Sequence, residues 1–105
     1  MKQTLRFNLM QQAMVIEAME AYQGRYKGGQ KDRFSQVLER VENNATTFDS
    51  EEMIYITQAL RAYGRLQKLL RHTNWFSFEK LANNVEKLRK NFQHKNNPLI
   101  RMGLA

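Results

Sequence analysis

The chain has no cysteine, which excludes a disulfide framework, a thiolate metal site and a dithiol redox centre. That absence suits a reducing compartment, and a cytoplasmic protein is expected. Proline is nearly absent: the single one, Pro98, lies close to the C-terminus. With only five glycines as well, the interior lacks the frequent turns that an all-β chain needs. Long apolar runs are also missing. No window approaches the roughly 18 to 20 apolar residues of a membrane span, and the mean hydropathy is negative. Behind Lys2 and Arg6 the apolar stretch is broken by Asn8, Gln11, Gln12 and Glu17, which a secretory leader would not tolerate. A soluble chain with no membrane partner is therefore expected.

Acidic residues are scarce in one half only. Residues 1–52 hold seven Lys/Arg against eight Asp/Glu, whereas residues 53–105 hold ten against two, Glu79 and Glu86. The net charge of +7 is thus entirely C-terminal. A block of this kind steers an anionic partner or serves solubility.

A length of 105 residues with 42% hydrophobic positions suits one core and no more. The apolar spacing predicts four helices, at about 8–26, 31–44, 49–71 and 77–93, in a single antiparallel bundle spanning residues 1–93, followed by a tail at 94–105. Short connections place consecutive helices side by side. In the first helix Leu9, Ala13, Ile16, Met19, Tyr22 and Tyr26 form one stripe, and Met10, Met14, Ala18 and Ala21 a second. A helix apolar on so much of its circumference is expected to be central. The glycines at 24, 28 and 29 mark the first turn. The second helix shows one clear face, Phe34, Val37, Leu38 and Val41.

The third helix has a complete start signal: Phe48, Asp49 and Glu52 provide a hydrophobic residue, a cap and its reciprocal partner. Its apolar face, Ile56, Ala59, Leu60, Ala62, Tyr63, Leu66, Leu69 and Leu70, is again broad. Ser77 is the expected cap of the fourth helix, whose stripe is Phe78, Leu81, Ala82, Val85, Leu88 and Phe92.

The first and third helices share wording as well as period. Ala18-Met19-Glu20-Ala21-Tyr22 parallels Ala59-Leu60-Arg61-Ala62-Tyr63, and Phe7, Asn8 and Gln11 parallel Phe48, Asp49 and Glu52. Duplication of a helical hairpin would explain this, although the second and fourth helices match poorly by residue type. The apolar surplus of the repeated helices predicts a homodimer interface, with Met10, Met14, Tyr22, Ala59, Ala62 and Tyr63 as its candidates.

No constellation for catalysis is present. The pairs Glu17/Glu20 and Glu39/Glu42 lack a histidine at ligand spacing and read as solvated helix faces. His72 and His94 flank the fourth helix and read as partners of free helix-end carbonyls. The glycines at 24–29 fit neither GxGxxG nor GxxxxGK. Neither an enzyme nor a cofactor, a metal or a small-molecule substrate is expected. A helix-turn-helix is also absent, because the link at 43–48 is long and glycine-free and the third helix is too apolar to lie in a groove.

Basic residues carry the remaining information. Arg61, Arg65, Lys68 and Arg71 follow the outer side of the third helix, and Lys80, Asn84, Lys87 and Lys90 the polar side of the fourth. Together they are the candidate site for an anionic partner, with DNA or RNA first and an acidic protein second. Trp75 and Phe76 beside them read as core, with base stacking as the functional alternative. A second class of function, a protein-interaction or assembly factor using an apolar groove or the dimer surface, would require Met10 and Met14 to be exposed together.

Overall fold

The computed structural model describes residues 2–95, with side chains described through residue 91. The expected tail beyond Lys95, including Pro98, and the side chains of Phe92 and His94 lie outside the described residues. The elements in order are β1 (Gln3–Thr4), α1 (Leu9–Tyr22), a 3-10 turn (Gln23–Arg25), α2 (Gly28–Glu42), β2 (Thr47–Phe48), α3 (Ser50–Leu69) and α4 (Trp75–Lys95). The architecture is an all-α bundle of four helices, with a single strand pair at one end.

Both α1 and α3 start with a capping box. The Asn8 side chain accepts from the Gln11 amide at 2.7 Å and the Gln11 side chain accepts from the Asn8 amide at 3.0 Å. Asp49 and Glu52 repeat the pattern at 2.8 and 2.9 Å. Each box satisfies two backbone donors that a helix start otherwise leaves free. The segments leading into these caps pair with each other. β1 lies antiparallel to β2 with Gln3 opposite Phe48 and Thr4 opposite Thr47, Leu5 N–H donates to Thr46 O at 2.7 Å, and the rings of Phe7 and Phe48 lie 6.1 Å apart.

The likeness of the two hairpins extends into the core. Shifting α1 by 41 positions places Val15 on Ile56, Ala18 on Ala59 and Met19 on Leu60, and all six are fully buried. Shifting α2 by 44 places Phe34, Val37, Leu38 and Val41 on Phe78, Leu81, Ala82 and Val85, and all eight are buried. Tyr22 packs against Phe34 at 6.1 Å, just as Tyr63 packs against Phe78 at 4.9 Å. The α2–α4 match is hidden in the sequence because its offset is 44 rather than 41: α3 runs on past the point that matches the end of α1.

α3, rather than α1, is the central element: it packs most extensively against α4, next against α1, and also against α2. The first half of α1 is not enclosed, since Leu9 is 84% and Met10 75% exposed. Its core face runs through Val15, which lies between the two stripes the spacing suggested. α2 begins at Gly28, earlier than expected, with Gly28 at φ 61, a backbone that glycine adopts without cost. α4 also begins early, at Trp75; Ser77 is already inside it, with its N–H on Asn74 O at 3.1 Å.

α2 and α3 end alike. Asn44 and Arg71 have φ of 64 and 60, and the residues after them return N–H bonds to Arg40 O at 3.0 Å and Gln67 O at 2.9 Å. This is the left-handed helix stop that glycine usually occupies, and asparagine tolerates it better than arginine.

Tyr26 sits in an aromatic cluster, 5.5 Å from Tyr22, 4.9 Å from Phe34 and 5.4 Å from Tyr55. Burial, reinforced by Tyr22, pushes its hydroxyl from the ordinary 10.0 up to about 12. Tyr55 is raised by burial and by Glu51, and Tyr63 by its hydrogen bond to Glu17 and by burial. A raised phenol favours the folded state while protonated, so its contribution is complete below pH 10.0 and is lost as pH rises towards about 12. The urea midpoint should therefore fall steeply above pH 10, and Tyr26→Phe should flatten that fall. An equal slope in wild type and variant would contradict the assignment.

Candidate functional site

Arg61, Arg65 and Lys68 stand at helical spacings of four and three, so they share one flank of α3. α4 supplies Trp75, Glu79 and Asn83 from the facing side at spacings of four. Together with Gly64 these residues line a groove of about 460 Å³ between the two helices. Gly64 is buried where the two helices meet: a Cβ there would lie in contact, 3.4 Å from Phe78 Cβ and 3.4 Å from Trp75 O.

Within the groove Lys68 Nζ lies 4.7 Å from the centre of the Trp75 ring, a cation–π contact. Arg61 Nη2 donates to Asn83 Oδ1 at a long 3.4 Å. Among the described residues Arg61, Arg65 and Lys68 take part in no ion pair within 4.0 Å, and Glu79 is the only carboxylate in the lining. Two acidic residues at the α3 start are used elsewhere: Glu51 holds Arg33 at 3.0 Å, and Glu52 holds Arg40 and Lys2.

Lys80 and Lys87 are not on this flank. Lys80 and Asn84, and Asn84 and Lys87, line two adjoining cavities on the opposite side of α4, facing the N-terminal segment and α1. Lys90 Nζ lies 4.0 Å from Glu86, whose carboxyl is held below the usual range by its hydrogen bond to Arg89, against an opposing push from burial. Arg71 is exposed where α3 stops. The expected single basic surface is therefore two surfaces separated by α4. Of the stacking candidates, Trp75 is half-buried against Lys68 and Phe76 is 60% exposed, so Phe76 is not core.

The interface candidates divide as well. Ala59 is fully buried. Ala62, Tyr22 and Tyr63 line a small cavity at the α1–α3 contact together with Ala18 and Ala21, and Tyr63 Oη donates to Glu17 Oε1 at 2.6 Å. Ala59 is thus enclosed within the chain, while Tyr22, Ala62 and Tyr63 stay part-exposed at the α1–α3 contact. Met10 and Met14 both line an open cavity against α4.

Among the described residues no three His, Asp or Glu side chains are grouped to hold a metal ion, and no helix is long and apolar enough to cross a membrane. Compared with known proteins, the chain matches no family model, no curated protein and no solved structure. Function therefore has to be read from the chemistry of the surface.

Proposed function

We propose that the protein is a non-enzymatic binding module for single-stranded nucleic acid, seated in the α3–α4 groove. The observation that carries this reading is the convergence of Arg61, Arg65 and Lys68, none of them in an ion pair among the described residues, on the same groove as Trp75. Cations along the groove neutralise phosphates, and an indole face accepts any base by stacking. Lys68, now over the ring, would exchange that face for a phosphate. A single strand fits better than a duplex, because one half-buried ring in a narrow groove is reached only by an unpaired base.

Trp75 is the chain's one tryptophan, so its fluorescence reports the event directly. A labelled dodecathymidylate should quench it. Neutralising three phosphates at a slope of about −0.7 each weakens binding about 20-fold between 50 and 200 mM salt. Arg65→Glu/Lys68→Glu should abolish most of the affinity, and Trp75→Leu should lower it about tenfold, with helical circular dichroism unchanged. Absent binding, or binding insensitive to salt, rejects the reading.

A further inference from the structure

The approximate two-fold likeness of the two hairpins poses a specific comparison. The cleft between α2 and α3 has its counterpart in the cleft between α1 and α4, and the two are finished differently. In the first, Arg33 pairs with Glu51 at 3.0 Å and Arg40 with Glu52, while Tyr55 fills the space against Phe34 at 5.8 Å and Tyr26 at 5.4 Å. In the second, the matching positions hold Ser77 and Met10, Asn84 and Gln11, and Met14 in place of Tyr55. Among the described residues no ion pair closes it, and Met14 stands where Tyr55 fills the first cleft. What remains is a continuous groove made of two adjoining cavities, about 410 and 250 Å³, which share Gln11, Leu81 and Asn84.

Its floor is apolar: Phe7, Met14, Leu81 and Leu88 line it, with Met10 at the edge, 75% exposed. Its rim is cationic and amide-bearing: Arg6, Lys80 and Lys87 stand among asparagines, and no carboxylate lines either cavity. None of these three cations is in an ion pair within 4.0 Å among the described residues. An apolar floor under a positive rim complements one shape above others, a helix with aliphatic residues on one face and Asp or Glu flanking it. Methionine at the edge adapts to the side chains that enter. Nucleic acid is a poorer occupant, because the groove offers its bases no aromatic face beyond the half-buried Phe7 and its phosphates a floor that disfavours charge.

We infer that the α1–α4 groove is a docking site for an acidic amphipathic helix of a partner protein. The site is independent of the α3–α4 groove, on the other flank of α4. The chain is then an adaptor, able to hold a strand on one side and a protein helix on the other.

The test uses the full chain with carbon-13 methyl-labelled methionines and two synthetic 18-residue amphipathic peptides. The peptides share a leucine face and carry either glutamate or lysine beside it. The glutamate peptide should bind at least about tenfold more tightly, and Lys80→Glu/Lys87→Glu should invert that preference. The Met10 and Met14 methyl signals should move, and those of the fully buried Met19 and Met53 should not. Oligonucleotide binding through Trp75 should survive the Lys80→Glu/Lys87→Glu change. Equal affinity for both peptides, or unmoved Met10 and Met14 signals, overturns the inference. So does movement of those signals with protein concentration alone, which would assign the groove to a second copy, or with dodecathymidylate, which would assign it to nucleic acid.

Discussion

Phe78→Ala is expected to cost about 3–5 kcal/mol of folding free energy, the range for removing a fully enclosed ring. Small domains carry about 5–15 kcal/mol in all, so this single change brings the chain close to unfolding. Phe78 is 2% exposed, its ring meets Tyr63 at 4.9 Å, and its Cβ is the atom that Gly64 approaches. A cavity there opens inside the α3–α4 contact, beside the buried Gly64. Phe34→Ala, at the equivalent place in the first hairpin, should cost as much: that ring is wholly buried and lies within 6.1 Å of Tyr22, Tyr26 and Tyr55. Phe76→Ala, two residues from Phe78 but 60% exposed, should change stability by less than about 0.5 kcal/mol. Urea titrations at constant m-value measure all three. A loss below about 1 kcal/mol for either buried ring would mean that the two hairpins do not share one way of packing.

The fold class, the four helices and the α2 face were legible because each rests on a local or periodic signal. Asp49 and Glu52 announce the α3 start within four residues, and Phe34, Val37, Leu38 and Val41 keep a single stripe. α1 resists the same reading for the opposite reason: apolar residues on nearly every side give periodicity nothing to choose between, so it neither selects the buried Val15 nor sets apart the exposed Leu9 and Met10. The pairing of β1 with β2 joins two-residue strands more than forty positions apart, and no local pattern marks it. At the candidate site, the spacing of Arg61, Arg65 and Lys68 placed them together, and helical geometry alone would have separated Glu79 and Asn83 from Lys80, Asn84 and Lys87. What spacing does not supply is which flank of α4 meets α3. The structure shows it: Gly64 lies against Trp75 and Phe78.

Arg40→Ala should be the most damaging change at a charged residue, at about 2–3 kcal/mol. From α2, Arg40 reaches across to the start of α3: one nitrogen bonds Glu52, Nη2 donates to Thr47 O at 2.7 Å, and the guanidinium lies 5.2 Å from the centre of the Phe48 ring. Exposed salt bridges contribute little because water competes for both ions, but here the two side chains keep only 30% and 12% of their exposure. Removing one partner of a buried pair costs about 3–5 kcal/mol, since the other charge is left desolvated; the partial exposure of Arg40 and the nearby Lys2, 3.9 Å from Glu52, reduce that figure. Arg40→Lys keeps the charge and loses the second bond and the planar stacking, so it should recover only about half the loss. Glu52→Gln retains the capping-box geometry, because glutamine serves there equally, and should cost about 1 kcal/mol. If the pair acts as a unit, the double variant Arg40→Ala/Glu52→Gln will be more stable than the sum of the two changes predicts, by about 1 kcal/mol or more. Additive losses, or Arg40→Ala within about 0.5 kcal/mol of wild type, would leave the Phe7–Phe48 contact and the strand pair to hold this end of the bundle together.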